Sequence, residues 1–277
     1  SCPAVQVQPG APANAGRVAE VYSPDLVPDE RKVDPAAAQK YMKEVLLGIS
    51  KQADLASACE TLMPTYQPGE VIGIKVNMIA WGVPTQPALI KALVDHLKTG
   101  MGISGKEIVI WDRRLDEFTK RPDMTPELMG ATVEGTIETV DDEGNPVQGV
   151  GRGYEFDSTC LMGQKTHLSA ILTRRCDHLI NFSVMKNHPA SGFTGVLKNH
   201  YGSIDNPGCF HDDAIDGVVV ADRFGRTIPE LNALDEIAGK TRLWLMDATI
   251  GTCKNSNMGP ADCRPKRLLA ALDPVAL

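Results

Sequence analysis

Residues 184–202, VMKNHPASGFTGVLKNHYG, carry the tripeptide Lys-Asn-His twice, as Lys186-Asn187-His188 and as Lys198-Asn199-His200. Cations, amides and imidazoles gathered this closely suggest a site. Two chemistries suit these residue types. Lys186 and Lys198, joined by Lys75, are matched to a carboxylate or phosphate, because an ammonium offers charge-assisted hydrogen bonds to oxyanions. The imidazoles of His188, His200 and His211 suit a divalent transition metal or acid–base work near neutral pH. Asp212 and Asp213 follow His211 directly and offer carboxylates that ligate a metal or orient an imidazole. The expected catalytic set is His188, Lys186 and Lys198, the substrate-orienting set is Lys75, Asn77, Asp112, Thr194 and Asn199, and the expected metal ligands are His188, His211 and Asp212. None of these spacings is a strong metal motif such as H-E-x-x-H. The plain alternative is that the cluster only satisfies buried backbone groups.

The elements that must position these residues follow from pattern. GRVAEVYS alternates like a strand, and DPAAAQKYMKEVLLGISKQ has apolar residues at helical spacing, with Tyr41, Val45, Leu46 and Ile49 on one face. DLASACETLM reads as a second, short helix. GEVIGIKVNM reads as a buried strand, QPALIKALVDHLKTG as an amphipathic helix and KEIVIWD as the next strand. This alternation signals βαβ units, and hence an α/β fold with a largely parallel or mixed sheet flanked by helices in three layers, Rossmann-like. Ligands of such sheets bind at the carboxyl ends of the strands. Here those ends carry Lys75 and Asn77 on one strand, and Asp112 and Arg113 on the next. CDHLINFSVMK is a further buried strand that delivers Lys186 at its end.

Residues 115–165 are expected to form an irregular β or loop excursion, and LSAILTRR a short helix. SGFTGVLKNHYGSI is read as a helix running to about Gly202, which puts Thr194 and Lys198 on one face and makes His200 a packing residue. The two Lys-Asn-His copies are therefore not equivalent. RTIPELNALDEIAG reads as another helix, KTRLWLMDATIG as a strand, and KRLLAALDPVAL begins one more.

Bulk properties narrow the field. The 277 residues suit one α/β domain over residues 16–277 behind an N-terminal tether at 1–15, and 43% hydrophobic with 23% charged residues is a globular balance. The net charge of −7 argues against nucleic acid as a partner, and no apolar run is long enough for a membrane-spanning helix. The chain begins SCPAVQVQPGAPANAGR without Met, which fits either Met removal or a cleaved export signal. None of the seven cysteines forms a C-x-x-C pair, while Cys253 and Cys263 bracket a Gly/Asn/Pro loop that a disulfide would staple. The odd count leaves one unpaired, with Cys2 in the tail a candidate. There is no G-x-G-x-x-G after a strand, no phosphate-binding Walker loop and no G-x-S-x-G elbow.

GEVIGIKVNM, IVIWDRR, CDHLINFSVMKNH, SGFTGVLKNHYG, LWLMDATIG and LLAALDPVAL occur in an order that resembles the uncharacterised family known as domain of unknown function 362, from about Arg17 onward. The Lys-x-His followed by Thr-Gly-x-x-Lys-Asn is its most specific pattern. By position, the resemblance implicates Lys75, Asn77, Asp112, Lys186, His188, Thr194, Lys198, Asn199 and His211. It is nearest the branch exported by a twin-arginine signal, which implies a periplasmic or extracellular address and favours a bound cofactor. Many similar proteins carry ferredoxin-type cysteine clusters. This chain lacks C-x-x-C-x-x-C, so an iron–sulfur cluster of that type is not expected. In similar sequences more chain follows DPVA, so a missing segment, a homo-oligomer or a partner chain is expected to complete the sheet edge at the C-terminus. The leading expectation is an exported enzyme acting on an anionic small molecule with metal assistance. The alternative is a non-catalytic accessory or binding subunit of a redox or cell-envelope complex.

Overall fold

The computed structural model describes residues 16–79, 83–140, 146–147, 149–212, 214–215, 218–219 and 222–277. The expected tether, Cys2 and Asp213 lie outside them. One sheet contains β1 (Val18–Tyr22), β2 (Ile72–Lys75), β3 (Ile108–Arg114), β4 (Thr132–Ile137), β5 (His178–His188), β6 (Gly192–Thr194), β7 (Thr241–Thr252) and β8 (Arg267–Ala271). Their spatial order is β1-β8-β7-β5-β2-β3-β4, with β6 folded back on β5. The run β7-β5-β2-β3-β4 is parallel, and the β1–β8, β8–β7 and β5–β6 pairs are antiparallel. The helices are α1 (Pro35–Ser50), α2 (Leu55–Leu62), α3 (Pro87–Met101), α4 (Leu115–Thr119), α5 (Pro126–Met129), α6 (Val196–Asn199), α7 (Arg223–Asn232) and α8 (Asp235–Ala238).

Strand periodicity creates the layers. On β3, Ile108 and Ile110 join one buried cluster, while Val109 and Trp111 join another. Successive side chains on a strand face opposite ways, so a strand apolar on both sides needs cover on both. The first face packs on α1, α2 and α3 through Met42, Leu46, Leu62, Leu93 and Leu97. The second packs on α7, α8 and a single π-helical turn, Ile171–Arg175, through Leu172, Phe224, Leu231 and Ile237. The α/β reading therefore holds, with a mostly parallel sheet between helical layers.

Four local expectations are corrected. The 115–165 stretch is not wholly an excursion: β4 pairs with β3 and forms one edge of the main sheet. Its part-polar pattern, TVEGTI, disguises an edge strand, whose outer side needs no apolar cover. The expected helix at LSAILTRR shrinks to that π turn, because Leu168 and Ser169 are held in β-bridges with Ile204 and Tyr154. The helix expected over RTIPELNALDEIAG breaks into α7 and α8. The helix expected over 191–202 is also broken. Gly192 adopts a φ of +72°, and Gly195 is extended at φ −139°, so residues 192–194 return as β6, with Lys186 opposite Thr194 and His188 opposite Gly192. Only Val196–Asn199 is α-helical, followed by a 3-10 turn, His200–Ser203. Two glycines in so short a span cost a helix more than the hairpin costs.

β8 does not present the open edge expected near the C-terminus. It lies between β1 and β7 and is hydrogen-bonded on both sides. Among the described residues, the edges of the sheet are β1 and β4.

The connection from β2 through α3 to β3 builds the sheet one way, and the connection from β5 to β7 builds it the other. The reversal falls between β2 and β5, where α/β sheets open a crevice at their carboxyl ends.

Candidate functional site

Lys75 ends β2 and Asp112 lies near the end of β3, and neighbouring parallel strands bring them together. The Lys75 Nζ–Asp112 Oδ1 distance is 2.7 Å, with both side chains buried. Lys75 also donates to the Val76 carbonyl at 2.7 Å, and the second Asp112 oxygen accepts the Met78 N–H at 2.6 Å. This ion pair is internally satisfied. Gly202 closes over it: a Cβ there would sit 2.9 Å from both Lys75 Nζ and Asp112 Oδ1, so a larger residue would have to displace the pair.

Asn199, on α6, donates to the Lys75 carbonyl at 3.1 Å and to Asn181 Oδ1 at 2.8 Å, and Asn181 in turn donates to the Val196 carbonyl at 2.8 Å. This buried amide chain ties α6 to β2 and β5. Asn181 was missed in the sequence, although a signal existed. In LINFSV, Leu179, Asn181 and Ser183 share one face of β5, so the apolar face turns polar towards the end that bears the site.

Lys186, almost fully buried, donates to Asn77 Oδ1 at 2.7 Å and to the Ile79 carbonyl at 2.8 Å. Desolvation pulls its pKa down to about 7, against the opposing pull of Asp112 and Glu117. Glu117, on α4, was not foreseen. Burial, with repulsion from Asp112, raises its carboxyl to about 7.

Lys198 is placed differently. Its ammonium lies 4.8 Å from the centre of the Tyr201 ring and 5.1 Å from that of Phe224, and its hydrogen-bond partner is His211 Nε2 at 3.3 Å. The aromatic faces favour the cation, yet desolvation prevails and lowers its pKa to about 8. The His211 Nδ1–H donates to the Pro207 carbonyl at 2.8 Å, which leaves the Nε2 lone pair facing Lys198. Burial, followed by the Lys198 charge, lowers the His211 pKa.

A cavity of about 120 Å³ joins these groups. Lys75, Asn77, Asp112, Lys186, Thr194, Lys198, Asn199 and His211 line it, together with Arg113, Tyr201, Gly202 and Asn257. The buried Thr194 hydroxyl in its wall has no hydrogen-bond partner among the described residues. Asn257 comes from the loop stapled by the Cys253–Cys263 disulfide, whose Asp262 carboxylate accepts the N–H groups of Cys253, Lys254 and Asn255. The sequence showed the staple but gave no sign that the loop reaches the cavity.

The expected metal ligands do not assemble into a cation site. His188 is outside the lining; its Nδ1 accepts the N–H groups of Ala190 and Ser191, which places the neutral ring's proton on Nε2. Burial, then Lys198 and His211, lower its pKa to about 4, so it stays neutral, packed edge-on against Phe224. Its ring centre is 5.8 Å from that of His211. Asp212 caps α7, accepting the N–H groups of Arg223 and Phe224. With one nitrogen proton-bearing, one carboxylate committed to a helix end and the Lys198 ammonium on the remaining lone pair, this set does not fit a divalent metal. Among the described residues, the single cluster with metal-ligand spacing is Cys253, Asp262 and Cys263, and its sulfurs are joined in the disulfide. His200 is fully buried against Ser203, at 3.0 Å from Nδ1 to Oγ, and is not among the residues that line this cavity.

No curated protein matches the chain. Among solved structures it is similar to a crystal structure of a protein from Thermotoga maritima, at 9% identity and a TM-score of 0.41, over 87% of this chain and 55% of that one. The chain thus spans little more than half the length of that protein. Residues 72–277, which hold every cavity-lining side chain, match the family described as domain of unknown function (DUF362), and the chain belongs to that family.

Proposed function

We propose that the cavity at the β2/β5 crevice binds a small anionic molecule and that Lys198 and His211 carry proton transfer to or from it. The observation that supports this reading is the state of Lys198: a buried ammonium with no carboxylate partner among the described residues, in the same wall as a Thr194 hydroxyl that has no hydrogen-bond partner among them. Lys75, Lys186 and Lys198 line the cavity, Asp112 is the one carboxylate among its described lining residues, and Lys75 neutralises that carboxylate. A buried uncompensated cation is costly, and an anion entering the cavity relieves the cost. A cavity of about 120 Å³ has room for a phosphate or a short-chain acid. The proposal replaces metal assistance with a lysine–imidazole pair.

We also place the protein outside the cytoplasm. The Cys253–Cys263 disulfide supports this, since such bonds persist in oxidising compartments.

Thermal shift and calorimetric titration with phosphate, sulfate, acetate and lactate test the binding reading. One or more of these anions should stabilise the wild type, with the effect lost in Lys198→Met. If none shifts the melting point and calorimetry detects no heat of binding, the reading is wrong.

A further inference from the structure

We propose that Lys198 is a nucleophile that forms an imine with a small carbonyl compound bearing a negatively charged group, an oxo acid in the simplest case. This rests on the anion-binding reading and names its substrate class.

The case is a comparison of three buried lysines around one cavity. Lys75 is held as an ammonium by the Asp112 carboxylate and the Val76 carbonyl. Lys186 faces the two oxygen acceptors of Asn77 and Ile79. Among the described residues Lys198 has no oxygen acceptor; its neighbours there are two aromatic rings and the His211 lone pair. Conversion to the free amine therefore leaves the fewest groups unsatisfied at Lys198. A desolvated lysine beside a proton acceptor is how proteins obtain an amine nucleophile near neutral pH. His211 is held by the Pro207 carbonyl in the tautomer that points its lone pair at this nitrogen.

The step balances without a redox partner. The Lys198 Nζ lone pair attacks the carbonyl carbon, a C–N bond forms, and the C=O π pair moves to oxygen. A proton leaves nitrogen by way of His211 Nε2 and is delivered to that oxygen. Water then departs as the C=N bond forms. Amine plus carbonyl gives imine plus water. The unpartnered Thr194 hydroxyl is available to the oxygen of the intermediate, and the remaining lining cations suit the carboxylate. The lowered pKa of Lys198 supports the assignment, since about half of it is free amine near pH 8. Among the described residues the titratable groups around it are His211, His188, Lys186 and Tyr201.

Pyruvate with sodium cyanoborohydride is the probe, followed by peptide mapping of the wild-type protein. We expect one adduct, on Lys198, formed faster as pH rises through about 8. Lys198→Arg should lose the adduct. His211→Gln should slow trapping on the order of 100-fold. Mapping is done on wild type, so a variant that fails to fold leaves the test intact. An adduct on Lys186 or spread over surface lysines overturns the assignment. Stabilisation by lactate without any pyruvate adduct overturns imine formation and leaves anion binding standing. Absence of both defeats the anion reading itself.

Discussion

The Lys186 ammonium donates to the side-chain oxygen of Asn77 at 2.7 Å, and this bond spans the place where the sheet reverses its direction of growth. Asn77 and Lys186 lie 109 residues apart in the chain, yet β2 and β5 are neighbours in the sheet, so the floor of the cavity is made by topology. Thr85 fixes the Asn77 backbone by accepting its N–H at 3.0 Å, which leaves the side chain free to serve Lys186.

Asn77→Leu is therefore expected to cost stability out of proportion to its size. Lys186 would lose one of two acceptors while almost fully buried, and an unsatisfied buried charged donor costs about 1–3 kcal/mol or more. Urea denaturation reads this as a lower midpoint at unchanged slope. A change under about 0.5 kcal/mol, the range of ordinary surface substitutions, would show that the bond has no structural weight.

The Lys75–Asp112 pair makes a sharper prediction, because its partners are worth more together than apart. Asp112→Asn leaves the Lys75 charge buried and uncompensated, at a cost of roughly 3–5 kcal/mol. The double variant Lys75→Met with Asp112→Asn removes the stranded charge and should regain much of that loss. A double-variant cycle by chemical denaturation gives the coupling. Additive losses would contradict the pairing.

How much of this was legible beforehand follows the range of each interaction. Strands such as IVIWD and helices such as PAAAQKYMKEVLLGIS announce themselves through local periodicity, and Tyr41, Val45, Leu46 and Ile49 are all buried as the spacing required. Lys75, Asn77, Asp112 and Lys186 were legible as cavity residues because the strand-end rule is topological, whereas Thr194, Lys198, Asn199 and His211, which also line the cavity, were pointed to by the family resemblance. What escaped was set by long-range geometry. Whether His211 Nε2 meets a metal or Lys198 depends on the Pro207 carbonyl, and whether Asp212 ligates or caps depends on where α7 begins. Thr194 reached the cavity by a hairpin where a helix was expected, since Gly192 and Gly195 outweighed the apolar spacing.

Opening the Cys253–Cys263 disulfide should weaken ligand binding as well as stability. The bond closes a ten-residue separation, a loop whose crosslink stabilises by about 2–3 kcal/mol on chain-entropy grounds. The loop carries Asn257 into the cavity wall. Cys253→Ser with Cys263→Ser should lower the melting temperature and reduce anion affinity, whereas Asn257→Ala should reduce affinity alone. If the serine pair melts lower but binds normally, the loop is a brace and not part of the wall.

Lys198→Met should make the protein more stable while abolishing anion binding. The folded chain holds Lys198 at a pKa of about 8 and Lys186 at about 7, against an ordinary lysine value of 10.5. Between those values and 10.5 the unfolded chain binds protons that the folded chain has released, so stability rises with pH across that window. Below about 7 both groups are protonated in both states, and the full cost of burying the charges is present. Replacing Lys198 by an apolar side chain of similar length removes its share, on the order of 3 kcal/mol by linkage, and places a thioether against the rings of Tyr201 and Phe224. At pH 7 the melting temperature should rise by roughly 5 °C. The variant should also lose about one proton's worth of slope between pH 8 and 10.5 relative to wild type. His211, His188 and Lys186 face the same space, so the comparison is made as a difference between the two proteins. Lower stability at pH 7 with an unchanged pH slope would mean that Lys198 already has a compensating anionic partner, and the cavity would no longer call for an anion.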